Sequence, residues 1–205
     1  MRPSLIAFDV DGVLLKPKSS WNTIHNYFGV ENEESLRAFL NGDIEYQEFI
    51  DRDVNLWLGK KRDITRSDFQ KIAKDIVPNP NFQYLREFLK EFKGNKIAIS
   101  GGIDVIVSKA REYFDLDDIY SNALVFEKDL LKGGKAIVNP HEKGRFLEKY
   151  DGRKVSVGDS EWDKDMFKSS DYSILFNSDS DFDFVDCIVR GNDLRELTRV
   201  LKDLK

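Results

Sequence analysis

The 205-residue chain has few cysteine and histidine residues: one cysteine, Cys187, and two histidines. A single cysteine excludes an internal disulfide framework and a cysteine-rich zinc site. Apolar runs are only a few residues long, which is too short for a transmembrane helix. The N-terminal residues show no apolar stretch with a small-residue cleavage site, so we expect a cytoplasmic protein without a secretion signal.

Basic residues are outnumbered by acidic ones, since the chain has 32 Lys and Arg and 37 Asp and Glu, which gives a net charge of −5. An acidic chain is a poor partner for nucleic acid or an anionic membrane, so we expect neither. Apolar residues make up 40% and aromatic residues 12% of the chain, which is enough for a folded core. Composition leaves the oligomeric state open.

Short apolar runs alternate with segments of helical periodicity along most of the chain. The predicted strands are residues 5–8, 96–100, 154–158, 172–176 and 187–189, with further short strands about a turn within 123–131. Helices are predicted at 82–92, from Gly101-Gly102 to 114, around 146–150 and at 194–204. This alternation is typical of an α/β fold with a doubly wound parallel sheet, a Rossmann-like core.

A stretch of about 60 residues after the first strand breaks the alternation. Four apolar stripes at helical spacing lie within residues 16–78, and Gly or Pro residues end them. We predict a small helical cap at 16–78, inserted into a core formed by residues 1–15 and 79–205. Such a long insertion inside a domain is usually functional.

Polar residues follow three of the predicted strands. Asp9 and Asp11 follow the first, Ser100 and Gly101 end the second, and Asp159 ends the third. In open α/β sheets, ligands bind at the carboxyl ends of the strands, so these residues are expected to line one crevice.

Crowded carboxylates repel one another unless a cation neutralises them, and Mg²⁺ suits oxygen ligands and a phosphate substrate. Ser100 and Gly101, at the expected start of a helix, offer a hydroxyl and backbone N–H groups to an anion. Lys143 is a candidate cation for phosphate. Together these groups are the parts needed for phosphoryl transfer through an aspartyl-phosphate.

Four motifs in this order resemble those of the haloacid dehalogenase superfamily of phosphatases, and most closely its phosphoserine-phosphatase-like members. They are residues 9–13, 100–102, 142–144 and 158–163, so the resemblance covers nearly the whole chain. The resemblance implies that Asp9 is the nucleophile and that Asp11 is the general acid and base. It also implies that Asp9, the main-chain carbonyl of Asp11 and Asp159 are the Mg²⁺ ligands. Ser100, Gly101 and Lys143 would bind the phosphate, and Asp163 would be an orienting carboxylate.

Members specific for phosphoserine carry a glutamate just past the first motif and an arginine in the cap. Here the nearest equivalents are Lys18 and Asp53, with Arg52 beside the latter. Trp162 replaces a frequent asparagine. We expect Lys18 and Arg52 to contact the leaving group and expect weak or no preference for phosphoserine.

The leading hypothesis is an Mg²⁺-dependent phosphomonoester phosphatase for a small phosphorylated metabolite, with phosphoserine among the candidates. A phospho-accepting receiver-like module is one alternative, since it also uses clustered Asp, Ser or Thr and Lys, but it has no helical insertion. An inactive relative that acts as a binding protein is the other.

Overall fold

The computed structural model describes residues 2–204, and within them seven strands form one sheet. The strands are β1 (Leu5–Phe8), β2 (Asn95–Ile103), β3 (Asp118–Glu127), β4 (Leu130–Lys135), β5 (Lys154–Gly158), β6 (Tyr172–Phe176) and β7 (Cys187–Val189). Their order is β4-β3-β2-β1-β5-β6-β7. All neighbours pair in parallel except the β3–β4 hairpin at one edge. The predicted doubly wound parallel sheet is therefore confirmed.

Along the chain, helices connect several of these strands, and the last helix follows β7. They are α1 (Ser20–Phe28), α2 (Glu33–Leu40), α3 (Tyr46–Lys60), α4 (Arg66–Lys74), α5 (Phe82–Glu91), α6 (Asp104–Val107), α7 (Ala110–Tyr113), α8 (Lys164–Lys168) and α9 (Leu194–Asp203). Two 3₁₀ segments lie at Pro140–Phe146 and Glu161–Asp163. None of the helices described here combines the length and apolarity needed to cross a membrane.

Strand β1 is the centre of the sheet, and all four of its residues are fully buried. A strand covered on both faces needs the continuous apolar run found at residues 5–8. In the register of the sheet, Phe8 lies beside Ala98 of β2 and Val157 of β5. The residue that follows, Asp9, therefore emerges between the carboxyl ends of two neighbouring strands, which is the usual ligand position in this fold.

Helices α1 to α4 all lie between β1 and α5, and we refer to them as the helical insertion. The chain enters and leaves it through paired segments. The amide of Lys16 donates to the carbonyl of Val77 at 2.9 Å. The Asn79 side chain donates to the carbonyls of Gly12 and Val13 at 2.9 and 2.7 Å. One buried amide group thus joins the exit of the helical insertion to the loop after β1.

The helical insertion packs on the β3–β4 hairpin as well as on the rest of the sheet. The amide of Leu131 donates to Ile64 at 2.8 Å, and Phe69 meets Phe126 edge to face at 5.9 Å. One apolar cluster runs without interruption from Phe8 in the sheet to the helical insertion. The division into a core (1–15 and 79–205) and a cap (16–78) stays a prediction, because this cluster joins the two parts.

Two predicted helices differ from the structure. Gly101-Gly102 does not open a helix, because β2 continues to Ile103 and α6 is only the four residues Asp104–Val107. A side chain at Gly102 would overlap Ser20, so glycine allows the close approach of α1 to this extended strand. In place of the helix expected around 146–150, the chain forms the 3₁₀ segment Pro140–Phe146. The Asn139 side chain caps this segment by accepting a hydrogen bond from the amide of His141.

The adjacent glycines of β4 provide a test of hairpin packing. A Cβ on Gly134 would overlap the Cγ2 methyl group of Ile50 on α3, whereas a Cβ on Gly133 meets nothing within 4 Å. We expect Gly134→Ala to lower the free energy of unfolding by about 1–3 kcal/mol, the usual cost of overpacking. Gly133→Ala is the matched control. Equal urea midpoints for the two variants would contradict the packing of β4 on α3.

Candidate active site

Asp9 and Asp11 are held in place by the segment that follows β1. The amide of Asp9 donates to the carbonyl of Val157 at 2.8 Å, which continues the pairing with β5. Oδ2 of Asp11 accepts a 2.6 Å hydrogen bond from the amide of Ser20, the first residue of α1. Gly12 has a φ of +73°, and a side chain there would overlap Asp159. The start of the helical insertion therefore positions one of the two aspartates.

Lys143 is 2% exposed and lies between two carboxylates. Its Nζ is 2.6 Å from Oδ1 of Asp163 and 3.1 Å from Oδ1 of Asp9. The other oxygen of Asp163 accepts a 3.0 Å bond from the amide of Asp159. Asp163 also forms a capping box with Ser160 at the 3₁₀ segment Glu161–Asp163. It thereby links Lys143 to the carboxyl end of β5.

The four buried carboxylates Asp9, Asp11, Asp159 and Asp163 form what we call the acidic cluster. Burial raises the pKa of Asp9 well above its usual value, the neighbouring acids add to this, and Lys143 opposes it. Burial also raises the pKa of Asp11, against the hydrogen bonds from Ser20.

The other members of the site show the same competition between burial and charge. Burial and the charge of Asp163 raise the pKa of Asp159 to about 6, opposed by Lys18. Burial lowers the pKa of Lys143, but the charges of Asp163 and Asp9 outweigh it and leave the pKa above its usual value. Lys143 therefore stays protonated, and the four carboxylates of the site face two lysines, Lys143 and Lys18.

The acidic cluster fits a divalent cation. Asp9, Asp159 and Asp163 each offer one oxygen, and these oxygens lie within 4.8 Å of one another. Both oxygens of Asp163 already accept hydrogen bonds, whereas Asp9 and Asp159 each pair one oxygen with a lysine and keep the other for a cation. Oδ1 of Asp11 is buried without a hydrogen-bond partner in residues 2–204. Hard cations prefer such oxygen ligands.

Ser100 and Gly101 lie in the carboxyl-terminal half of β2, where Ser100 is buried and Gly101 is half-buried. Oγ of Ser100 accepts a 3.0 Å bond from the amide of Gly102. The carbonyl of Gly101 accepts bonds from Trp21 Nε1 at 2.9 Å, Tyr46 Oη at 3.2 Å and Asn122 Nδ2 at 2.7 Å. Sequence reasoning missed Tyr46 and Asn122, because nothing in the local pattern marks a partner so distant along the chain.

A cavity of about 510 Å³ opens above these groups, between the sheet and the helical insertion. Seven of the predicted site residues line it: Asp9, Asp11, Lys18, Ser100, Gly101, Lys143 and Asp159. Asp163 is fully buried and contacts Lys143 instead. The structure thus brings together residues from four separate segments of the sequence.

The structure places the two predicted specificity residues, Lys18 and Arg52, in different surroundings. Lys18 lines the cavity, and its Nζ is 2.9 Å from Oδ2 of Asp159 and also donates to the carbonyl of Asn177. Arg52 instead pairs with Glu48 at 2.7 Å on the exposed face of α3, so its predicted contact with the leaving group is not formed. Neighbouring helical residues point about 100° apart, and Asp53 takes the inward direction.

Asp53 does not face the cavity either, because it is the centre of a buried polar network. Its carboxylate accepts hydrogen bonds from Asn32 and Ser35, both at 2.8 Å, and lies 3.1 Å from His25 Nε2. Trp57 Nε1 donates to the other ring nitrogen of His25 at 2.8 Å. The position aligned with the arginine of phosphoserine-specific members therefore has a structural role here.

A family profile described as haloacid dehalogenase-like hydrolase matches residues 3–171. The chain belongs to the haloacid dehalogenase-like hydrolases. It is thus an enzyme of the hydrolase class, as predicted, and the family match does not favour the receiver-like alternative. The match includes all four motifs, from Asp9 to Asp163.

Individual members of this family resemble the chain over its whole length. The phosphoserine phosphatase of Methanocaldococcus jannaschii is 28% identical over 98% of this chain and 99% of that protein. A substrate-bound phosphoserine phosphatase complex superposes with a TM-score of 0.79 at 24% identity, covering 98% and 99% of the two chains. The phosphoserine phosphatase from T. onnurineus in complex with NDSB-201 gives 0.75 at 25% identity, covering 100% and 96%. The predicted resemblance is confirmed.

The two lysines of the site are expected to differ in their effect on stability. Lys143→Met leaves buried carboxylates without their cation, and breaking a buried pair costs about 3–5 kcal/mol. Lys18→Met is the matched control, since the Lys18 side chain is 52% exposed and exposed pairs contribute about 0–1 kcal/mol. Urea unfolding without added metal measures both. Similar losses in the two variants would contradict the central position of Lys143.

Proposed function

We propose that the protein is an Mg²⁺-dependent phosphomonoester phosphatase that acts through an aspartyl-phosphate on a small phosphorylated metabolite. The observation that carries this proposal is the convergence of Asp9, Asp11 and Lys143 at the base of one cavity. Two carboxylates two residues apart provide a nucleophile and a proton carrier, and the buried ammonium group provides a counter-charge for phosphate.

In the first step, a carboxylate oxygen of Asp9 forms a bond to phosphorus, and the bond from phosphorus to the leaving oxygen breaks. Asp11 gives its proton to that oxygen, so an alcohol departs. Burial keeps the pKa of Asp11 high, which favours the protonated form that an acid needs. The Ser20 amide holds Oδ2 of Asp11, which leaves Oδ1 available for the proton.

In the second step, Asp11 takes a proton from water, and the water oxygen attacks phosphorus. The acyl-phosphate bond breaks, the carboxylate of Asp9 is restored and inorganic phosphate leaves. Ser100 Oγ, the Gly101 amide and Lys143 bind the phosphoryl oxygens in both steps. A bound Mg²⁺, held by Asp9, Asp159 and the Asp11 carbonyl, would neutralise the acidic cluster and the phosphoryl charge.

The relatives named phosphoserine phosphatase support phosphoester hydrolysis, and they make phosphoserine one candidate substrate. The helical insertion supports an enzyme over a receiver module, because it closes a cavity over the nucleophile, where water can be excluded. The presence of every group needed for chemistry within one cavity argues against an inactive relative.

Replacing the nucleophile tests the proposed reaction. Asp9→Asn keeps the shape but removes the attacking charge, so kcat for benzyl phosphate is expected to fall about a thousandfold or more. Asp11→Asn is the companion variant, and it should spare aryl phosphates relative to alkyl phosphates because a good leaving group needs no acid. Phosphate release with Mg²⁺ measures both. If Asp9→Asn retained a tenth of the activity, about 1.4 kcal/mol of barrier, the covalent route would be wrong.

Metal binding has a readout that does not depend on activity. A cation that binds the folded acidic cluster stabilises the protein by about 2.7 kcal/mol at a hundred times its Kd. We therefore expect Mg²⁺ to raise the melting temperature of chelator-treated protein. The rise should be lost in Asp159→Asn and kept in Asp179→Asn, whose exposed carboxylate lines the same cavity outside the acidic cluster. No rise in the unmodified protein would contradict the metal assignment.

A further inference from the structure

Beside polar residues such as Asn22, Asn32 and Ser180, six large aromatic or aliphatic side chains line the cavity. We call these residues the leaving-group wall: Trp21, Leu36, Phe39, Tyr46, Phe49 and Trp162. Five of them belong to the helical insertion, and Trp162 follows β5. They face the space that the alcohol part of a phosphoester would occupy.

The inner end of the leaving-group wall directly adjoins the site of chemistry. Trp21 and Tyr46 both donate to the carbonyl of Gly101, at 2.9 and 3.2 Å. Their polar atoms are thereby bonded to the end of β2, and the rest of each ring is apolar surface. A ring that is one or two bonds away from the phosphate would therefore contact the rings of Trp21 and Tyr46.

The outer end of the leaving-group wall is a set of stacked rings centred on Phe39. Its ring lies 5.3 Å from that of Phe49 at an interplanar angle of 23°, and 5.2 Å from that of Tyr46. The ring of Trp162 is nearly parallel to that of Phe39, at 6.5 Å and 11°. Stacked and offset rings of this spacing are favourable contacts for a further planar ring.

The charged side chains that line the cavity belong to the acidic cluster or pair with it, except for the exposed carboxylate of Asp179. Among residues 2–204, the lysines and arginines that line the cavity are Lys18 and Lys143, and both are paired with the acidic cluster. Arg52 pairs with Glu48 outside it. An amino-acid leaving group needs a cation for its carboxylate and an anion for its ammonium, because unpaired charges are costly to remove from water.

We infer that the substrate is a phosphomonoester whose leaving group carries a neutral, planar ring, in preference to the zwitterionic leaving group of phosphoserine. This inference rests on the proposed phosphatase function and specifies its substrate class. A ring gains contact with the leaving-group wall, whereas a zwitterion loses water there without a matching pair of charges.

The test compares esters of primary alcohols, so that the leaving oxygen stays chemically similar. Benzyl, cyclohexylmethyl and ethyl phosphate are compared with phosphoserine and with a nucleoside 5′-monophosphate, whose ring lies further from phosphorus. We expect kcat/KM for benzyl phosphate or the nucleotide to exceed that for phosphoserine about tenfold or more, mainly through KM. If the nucleotide is preferred over benzyl phosphate, the ring of the substrate binds at the outer end of the leaving-group wall. The reverse preference places that ring at the inner end.

Variants of the leaving-group wall locate the effect. In Phe39→Leu and Trp162→Leu, the ratio of kcat/KM for the preferred ring ester to that for ethyl phosphate should fall about tenfold. Tyr84→Leu is the control, because Tyr84 is a half-exposed aromatic residue on α5, away from the cavity. Its ratio should equal that of the unmodified protein. Unchanged ratios in both wall variants would overturn the inference.

Other results separate this inference from the proposed function. Preference for phosphoserine, or equal kcat/KM for cyclohexylmethyl and benzyl phosphate, would overturn the ring preference while leaving the phosphatase in place. Hydrolysis of no ester with Mg²⁺ would overturn the proposed function. Binding of benzyl phosphate and phosphoserine to Asp9→Asn, followed by calorimetry, then still decides the preference, and tighter binding of phosphoserine counts against it.

Discussion

Buried negative charge at the carboxyl ends of β1 and β5 is the constraint around which the rest of the site is arranged. The acidic cluster places four carboxylates in a region of low polarity, where like charges repel strongly. Lys143 neutralises part of this charge through Asp9 and Asp163. Asp163 uses its second oxygen to bind the amide of Asp159, so one side chain both holds the lysine and shapes the loop. The remaining carboxylates are the ligands that a divalent cation would require, and the cation would in turn offset the negative charge of a phosphoryl group.

The helical insertion is tied to the same residues that carry the chemistry. Ser20 donates its amide to Asp11, and Trp21 and Tyr46 donate to Gly101. The helices that enclose the cavity therefore also position Asp11, the proposed proton carrier. Asn79 connects the exit of the helical insertion with the loop that contains Gly12. Movement of these helices would change both the cavity volume and the surroundings of Asp11.

The groups proposed for phosphoryl chemistry and those proposed for leaving-group recognition come from different parts of the chain. Apart from Lys143, which lies on the 3₁₀ segment Pro140–Phe146, the groups proposed for phosphate and metal lie at or near strand ends, whose geometry the sheet imposes. The leaving-group wall lies mostly on the helical insertion, where Phe39 stacks on Phe49. Substitution there can alter substrate choice without disturbing the strand ends. Resemblance to enzymes named phosphoserine phosphatase thus bears more on the reaction than on the alcohol that is released.

The sequence alone determined the strands, most helices, the parallel sheet and the residues of the acidic cluster, because apolar runs and Asp-Gly motifs are local patterns. Only the tertiary structure decided that Arg52 faces solvent while Asp53 is buried in a polar network. Neighbouring helical positions face different environments, and only packing selects which one turns inward. It also decided that Tyr46 meets Gly101, which is 55 residues away in the sequence. Such contacts depend on how helices lie across the sheet, and no periodicity along the chain encodes that placement.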